Sequence, residues 1–447
     1  MNNLNKFLNL AKGCLSGVLG LALVAGVSSC SEEGEESYLG SLKVTVTAPQ
    51  AVSVEGVTVT ITNTSDLAES TATTSTDGVA EFKDLVAGTY NVSATVKDDA
   101  SGASYSAVKA GVAVTSQKEA EVELALEEVL KTSDLVIKEI FYSGSSFEYD
   151  EWGACMLKDA FIEIFNNGDE PILLDGLYIG DAWTPETCDS YAIDETPILE
   201  DNTLDHDYVY LCTAARIPEG SNITLAPGKS FILATNAINF REESRQSVID
   251  YGGEPDEEKL AHLVDLSIAD METYTVKWQQ ELGYETSYAE MFDLDNPDVP
   301  NVENIFLAYD SVQIFNWNVS GGAPVIFRSD KTYGNDDVIT YSYTSDGSTK
   351  EIPLLKVAVA DVLDAADFVS TANDGKWKRF PNVLDKGFNY VPGGDNSNTN
   401  YSQRRKIDTA ASQAAGRLIL VDTNNTSSDF EAVEPPTPRA GYEGYEL

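Results

Sequence analysis

The sequence predicts an all-β protein with two consecutive β-sandwiches, and three observations carry that expectation. Apolar and polar residues alternate with a period of two through many short runs, the pattern of a half-buried strand. Asp-Gly, Asn-Gly and Pro-Gly turn signals separate the runs. Helical periodicity is almost absent from the first block, about residues 41–127.

The N-terminus comes first. Lys6 and Lys12 precede a 14-residue apolar run from Cys14 to Val27. A membrane-crossing helix needs about 20 apolar residues, so the run is read as a secretory signal rather than a span. The residues Val27-Ser28-Ser29-Cys30 resemble the lipobox of bacterial lipoproteins. That resemblance implies removal of residues 1–29, acylation of Cys30 and attachment to the membrane through it; the alternative is an ordinary signal with an incidental cysteine. Residues 30–40, with Glu32, Glu33, Glu35 and Glu36, are read as an acidic tether. The run resembles the export signal of surface lipoproteins in certain Gram-negative anaerobes, which implies the outer leaflet of the outer membrane, facing the exterior.

Without residues 1–29 the chain keeps 418 residues and a formal charge near −46, against −44 for all 447. Nucleic-acid binding needs a basic footprint, which this composition denies. Cys155, Cys188 and Cys212 remain besides Cys14 and Cys30, and an oxidising compartment would allow one disulfide among them. Their spacing fits no zinc pattern, and the two histidines, His206 and His262, lie far apart in sequence.

In the first sandwich, residues 41–127, Leu42, Val44 and Val46 share one strand face. The same period recurs in Val57, Val59 and Ile61, in Tyr90, Val92, Ala94 and Val96, and in Val122, Leu124 and Leu126. Asp77-Gly78 marks a tight turn. Asp77, Gly78, Phe82, Leu85, Gly88 and Tyr90 together resemble the signature of carboxypeptidase-regulatory-like and pilin-type Ig-like sandwiches. Pilin-type members often join a first-strand lysine to a last-strand asparagine. Lys43 occupies such a place, but the last strand here has no Asn.

The second block, residues 128–434, carries Ile137, Glu139 and Ile140, then Phe161 to Ile164 and Asn166. Leu174, Gly176, Leu177, Ile179 and Asp181 follow, then Leu225, Pro227, Gly228 and Leu233. In this order they resemble the lamin-tail domain, an Ig-like sandwich, and the closing Ser402 to Arg405 and Asp422 to Phe430 fit the same pattern. Long insertions are expected near 182–217 and 240–330, and residues 435–447 are read as a C-terminal tail. The whole layout resembles a family of surface lipoproteins associated with TonB-linked outer-membrane receptors, which implies a receptor as partner.

No nucleophile elbow, P-loop, metalloprotease helix or dinucleotide-binding fingerprint occurs, so the chain is read as a non-enzyme. No cofactor is expected, with one calcium candidate: Asp293, Asp295 and Asp298, oxygen ligands in a short loop, set against a plain solvated acidic loop. A hairpin of strands 161–165 and 177–180 through Asn166-Asn167-Gly168 would bring two loops to one end. Those loops carry Tyr149 and Trp152, and Trp183 and Tyr191, as candidate binding aromatics; the alternative is that both tryptophans cap the core. The same geometry would make Cys155–Cys188 the disulfide. The reading is a surface lipoprotein that binds an extracellular ligand or docks on an outer-membrane receptor through its second domain. A structural stalk or adhesin is the alternative, and a hydrolase with an unrecognised site is a third reading.

Overall fold

The first eight strands come from the alternating runs: β1 (Leu39–Thr47), β2 (Thr58–Asn63), β3 (Glu69–Thr73), β4 (Val79–Val86), β5 (Gly88–Lys97), β6 (Ser104–Val114), β7 (Glu119–Ala125) and β8 (Glu127–Val129). The coordinates are a computed structural model describing residues 39–445 apart from 50–51, 66–67, 98–102, 130–132, 146–157, 184–206, 288, 309–313, 316, 320, 346–347, 373, 375–377 and 395–397. A three-stranded sheet, β4-β1-β7, faces a five-stranded one, β3-β2-β5-β6-β8. The core between them holds Leu42, Val44, Val46, Val59, Ile61, Phe82, Tyr90, Val92 and Leu124, the residues whose alternation marks one face. Gly78 makes its turn with φ 74°, and a Cβ there would lie 2.5 Å from the Val46 carbonyl, so only glycine fits. Lys43 pairs with Glu121 of the parallel neighbour β7 at 3.0 Å on the exposed side.

Fifteen further strands follow: β9 (Leu135–Phe141), β10 (Phe161–Asn166), β11 (Ile172–Leu173), β12 (Tyr178–Ala182), β13 (Tyr208–Arg216), β14 (Thr224–Leu225), β15 (Ser230–Ala234), β16 (Met271–Glu272), β17 (Glu303–Leu307), β18 (Pro324–Phe327), β19 (Val338–Ser345), β20 (Ser348–Ala358), β21 (Val362–Ala365), β22 (Ser402–Arg405) and β23 (Phe430–Val433). One sheet runs β16-β15-β10-β9-β22-β23 and the other β19-β20-β13-β12-β18-β21, with β17 also on β13. Ile137, Ile162, Ile164, Leu177, Ile179, Leu233, Ile326, Phe368 and Phe430 fill the space between them. The protein is all-β in class, with helices confined to connections.

Both sheets are also covered on their outer faces, which is why β9, β10 and β15 are buried at every position. Phe141, Phe161 and Ile232 meet Phe240, Val248, Leu260 and Leu266 of the segment after β15. That segment begins with a helix, Phe240–Asp250, capped by the Asn239 side chain, which accepts from the amides of Arg241 and Glu242. Phe240, Ser244 and Val248 repeat every fourth residue and face inward. On the outer face of the second sheet, Tyr178, Leu211 and Phe327 meet Tyr333, Tyr341 and Leu354.

Three expectations are corrected. β10 and β12 form no hairpin: β10 pairs with β9 and β15, β12 with β13 and β18, in opposite sheets. Asn166 turns the chain across the sandwich, its amide donating to the carbonyls of Glu170 and Leu225 while its oxygen accepts from Gly168 N. The stretch 182–217 contains β13, which pairs with β12, β17 and β20 and is a central strand rather than part of an insertion. Residues 435–445, within the stretch read as a C-terminal tail, pack onto the second sandwich. Thr437 binds Glu139, Arg439 donates to Asp270 at 2.6 Å, and Tyr442 packs with Val136, Phe165 and Leu420.

The first sandwich is joined to the second through residues 422–430, the exit segment, and its neighbours. Asn425 donates to Ser106 Oγ at 3.1 Å, Ser428 to Ser93 Oγ at 3.1 Å, and Tyr390 Oη to Thr64 O at 3.0 Å. Ion pairs Lys386–Glu127 and Lys406–Glu69 flank these bonds. The seam is polar and specific, with a small apolar patch of Ala110 against Val369 and Phe388.

Candidate functional site

The exit segment owes its shape to one buried cation. Arg405, on β22, donates to Asp364 at 2.6 Å, to Asp422 at 3.1 Å and to Asp429 at 3.3 Å, with all four side chains almost inaccessible. Its Nε also donates to Ile137 O, whose amide donates to Asp364. Burial pushes Asp364 and Asp429 up to about 7, against the pull of the guanidinium. A second buried set lies alongside: Arg379 reaches Asp367 at 3.2 Å, and Asp385 accepts from the Thr426 hydroxyl at 2.6 Å. These groups are spent on one another and fix loops rather than face solvent. They are scaffold.

Of the sequence-predicted binding residues, Tyr149, Trp152, Cys155, Cys188 and Tyr191 lie outside the described residues, as do Cys30 and His206. Trp183 is half-buried. Its amide donates to Tyr210 O at 2.9 Å and its ring meets Tyr341 edge-on, 6.1 Å between centroids. It packs against the outer core of the second sheet. Cys212 is a buried free thiol beside Asp181, and burial pushes it well up, away from thiolate chemistry.

The acidic loop has separate employments for its carboxylates. Asp293 Oδ2 accepts from both the amide and the hydroxyl of Thr275, at the start of the helix Val276–Glu281. Asp295 accepts from Asn301 at 3.0 Å, and the Asp298 amide donates to Asn296. Among the described residues no group of three or more His, Cys, Asp or Glu is placed to hold a metal ion. Nearby, burial pushes Glu272 up to about 7 and Asp293 up to about 6.

The most distinctive surface lies on the segment between β15 and β17. Ten large apolar side chains are exposed among the described residues, and six of them, Ile249, Tyr251, Ile268, Leu282, Tyr284 and Met291, fall within 249–291. Contiguous exposed apolar groups mark interfaces, and Leu282, Tyr284 and Met291, close together in sequence on one hydrogen-bonded turn, are the candidate. Leu282, Tyr284 and Met291 are 56%, 48% and 57% exposed. They stand on a fixed frame. Tyr284 N donates to Gln279 O, Gly283 takes φ 86°, and Gln280 donates to Thr286 at 3.0 Å and to Glu290 at 3.1 Å. The frame holds the turn after Val276–Glu281 against the short helix Ala289–Met291. Residues 240–300 hold 16 acidic and four basic side chains, so these apolar groups project from a strongly anionic ground. Sequence reasoning marked the segment as an insertion but could not tell which of its apolar residues stay outside.

Among the described residues no helix is long and apolar enough to cross a membrane. No curated protein matches the chain. The full-length major pilin SpaD from Corynebacterium diphtheriae is similar over 40% of this chain and 49% of its own, at 16% identity and a TM-score of 0.15. The fimbrial protein FimP from Actonomyces oris is similar over 39% and 48%, at 16% identity and a TM-score of 0.16. Likeness at that level carries no functional argument. A crystal structure of a DUF4876 family protein from Bacteroides thetaiotaomicron is similar over 90% of this chain and 97% of that one, at 23% identity and a TM-score of 0.51, which speaks for the fold. Residues 226–437, which include the exposed apolar face and the Arg405 cluster, match the DUF4876 family, described as a protein of unknown function.

Proposed function

We propose that this chain is a non-enzymatic surface lipoprotein, anchored through Cys30 at the outer membrane, that docks through the 249–291 face on a membrane partner presenting basic and apolar groups. A TonB-linked outer-membrane receptor is the partner class. The observation that carries the reading is the concentration of exposed Ile249, Tyr251, Ile268, Leu282, Tyr284 and Met291 in one acidic segment. Apolar groups supply affinity at such a surface, while complementary charge supplies rate and orientation. The first sandwich, held to the second by its polar seam, is read as a spacer module between the acidic tether and the second domain.

The test is capture from solubilised outer membranes. The intact chain retains a membrane protein, and Leu282→Ser/Tyr284→Ser/Met291→Ser loses it at least tenfold with an unchanged thermal midpoint. Equal capture by the two chains removes the face from the account. Turnover on a broad substrate panel would overturn the non-enzymatic reading.

A further inference from the structure

We propose that Lys138 and Glu163 are joined by an amide bond that the folded chain forms on itself, with Glu139 as the proton carrier. The inference stands independently of the docking face. It rests on the register of β9 and β10: Glu139 faces Glu163 and Ile137 faces Ile164, so Lys138 is the extra residue of a β-bulge. A bulge sets two residues of one strand against one of its partner and re-aims their side chains. Here it gathers an amine and two carboxyl groups.

The Lys138 Nζ lies 2.6 Å from Glu163 Oε2, and neither side chain reaches solvent. Glu139 is equally buried. It is held in place by Ser402 Oγ at 2.6 Å and by the amide and hydroxyl of Thr437, both at 2.7 Å. Arg439 N donates to Glu163 Oε2 at 3.1 Å, whereas Glu163 Oε1 has no hydrogen bond of good geometry among the described residues. The Tyr442 ring closes the site, 5.9 Å from the lysine nitrogen.

As an ion pair this arrangement is costly. A lysine ammonium has three donors, and among the described residues Glu163 is the acceptor it meets. Two charges are taken out of water, and each pays a desolvation penalty that one contact repays poorly. Burial raises the pKa of Glu163 against the opposing charge of Lys138, and the neighbouring Glu139 adds to the rise, which favours the neutral acid needed for attack.

The reaction balances without any further reagent. Proton transfer within the pair gives a neutral amine and a neutral carboxylic acid. The Nζ lone pair attacks Glu163 Cδ, and the Nζ–Cδ bond forms. Glu139 takes a proton from the nitrogen and returns it to the departing hydroxyl. The Cδ–Oε2 bond breaks, one water leaves, and Oε1 remains as the amide carbonyl oxygen. Nothing is oxidised or reduced, and two buried charges become one neutral amide linking β9 to β10.

Peptide mass spectrometry on the folded, then denatured and digested chain tests this. The expected product is a branched peptide containing both positions, lighter than its two linear parts by one water. Linear peptides alone from the folded chain overturn the proposal, and that measurement needs no variant to fold. Lys138→Met should give only linear peptides. Glu139→Gln keeps both reacting groups and should lose most of the branched product; wild-type levels in that variant would remove Glu139 from the chemistry.

Discussion

Asn425 donates its side-chain amide to Ser106 Oγ at 3.1 Å, across the seam between the two sandwiches and out of reach of solvent. One residue of the exit segment thereby ties the first sandwich to the second. Asn425→Ala leaves Ser106 with a buried orphan hydroxyl, at a cost of about 1–3 kcal/mol. Hydrogen exchange should quicken in β6 while β9 and β10 keep their protection. Uniform loss of protection would show that the seam is part of one cooperative core.

Arg405 should be the most sensitive position of the exit segment. Arg405→Met removes the cation from among Asp364, Asp422 and Asp429. Breaking a buried pair from one side costs about 3–5 kcal/mol, and urea titration reads it directly. A change within measurement error would mean that the three carboxyls already share protons and need no cation.

Acidification should stabilise the fold down to about pH 5. Asp364 and Asp429 sit at about 7 and Asp181 at about 6, burial being the first cause in each. Ordinary aspartates titrate near ~3.9. Between these values the folded chain holds more protons than the unfolded one, so stability falls as pH rises through the window. The thermal midpoint should therefore be higher at pH 5 than at pH 8, and Asp429→Asn should flatten the difference. A midpoint that rises with pH contradicts the assignment.

Trp183 separates packing from binding. Its ring rests on Tyr341 at the edge of the outer core. Trp183→Ala should cost about 2 kcal/mol, less than the ~3–5 of a fully buried tryptophan, and leave partner capture intact. Lost capture at full stability would return the binding role to the Trp183 loop.

The sequence carried the first sandwich well because its strands have one wet face, so Leu42, Val44 and Val46 declare themselves by alternation. In the second sandwich that signal disappears. β10 and β13 are buried on both sides, and nothing local says which neighbour each takes. Asn166-Asn167-Gly168 reads as a hairpin turn, yet the Asn166 side chain is used to cross between sheets. The segment after Pro435 looks like a polar tail, and its hold on Glu139 through Thr437 connects residues almost 300 positions apart. The candidate face was hidden for a different reason. Leu282, Tyr284 and Met291 are ordinary core residue types, and only the fold decides that they stay outside.

The proposed binding of this face to a partner in the outer membrane is open to direct measurement. Its most direct measurement is parallel capture by the intact chain and by Leu282→Ser/Tyr284→Ser/Met291→Ser from the same solubilised membranes. One membrane protein should be retained by the first and depleted at least tenfold in the second, with equal thermal midpoints. The same protein retained equally by both would contradict the proposed binding.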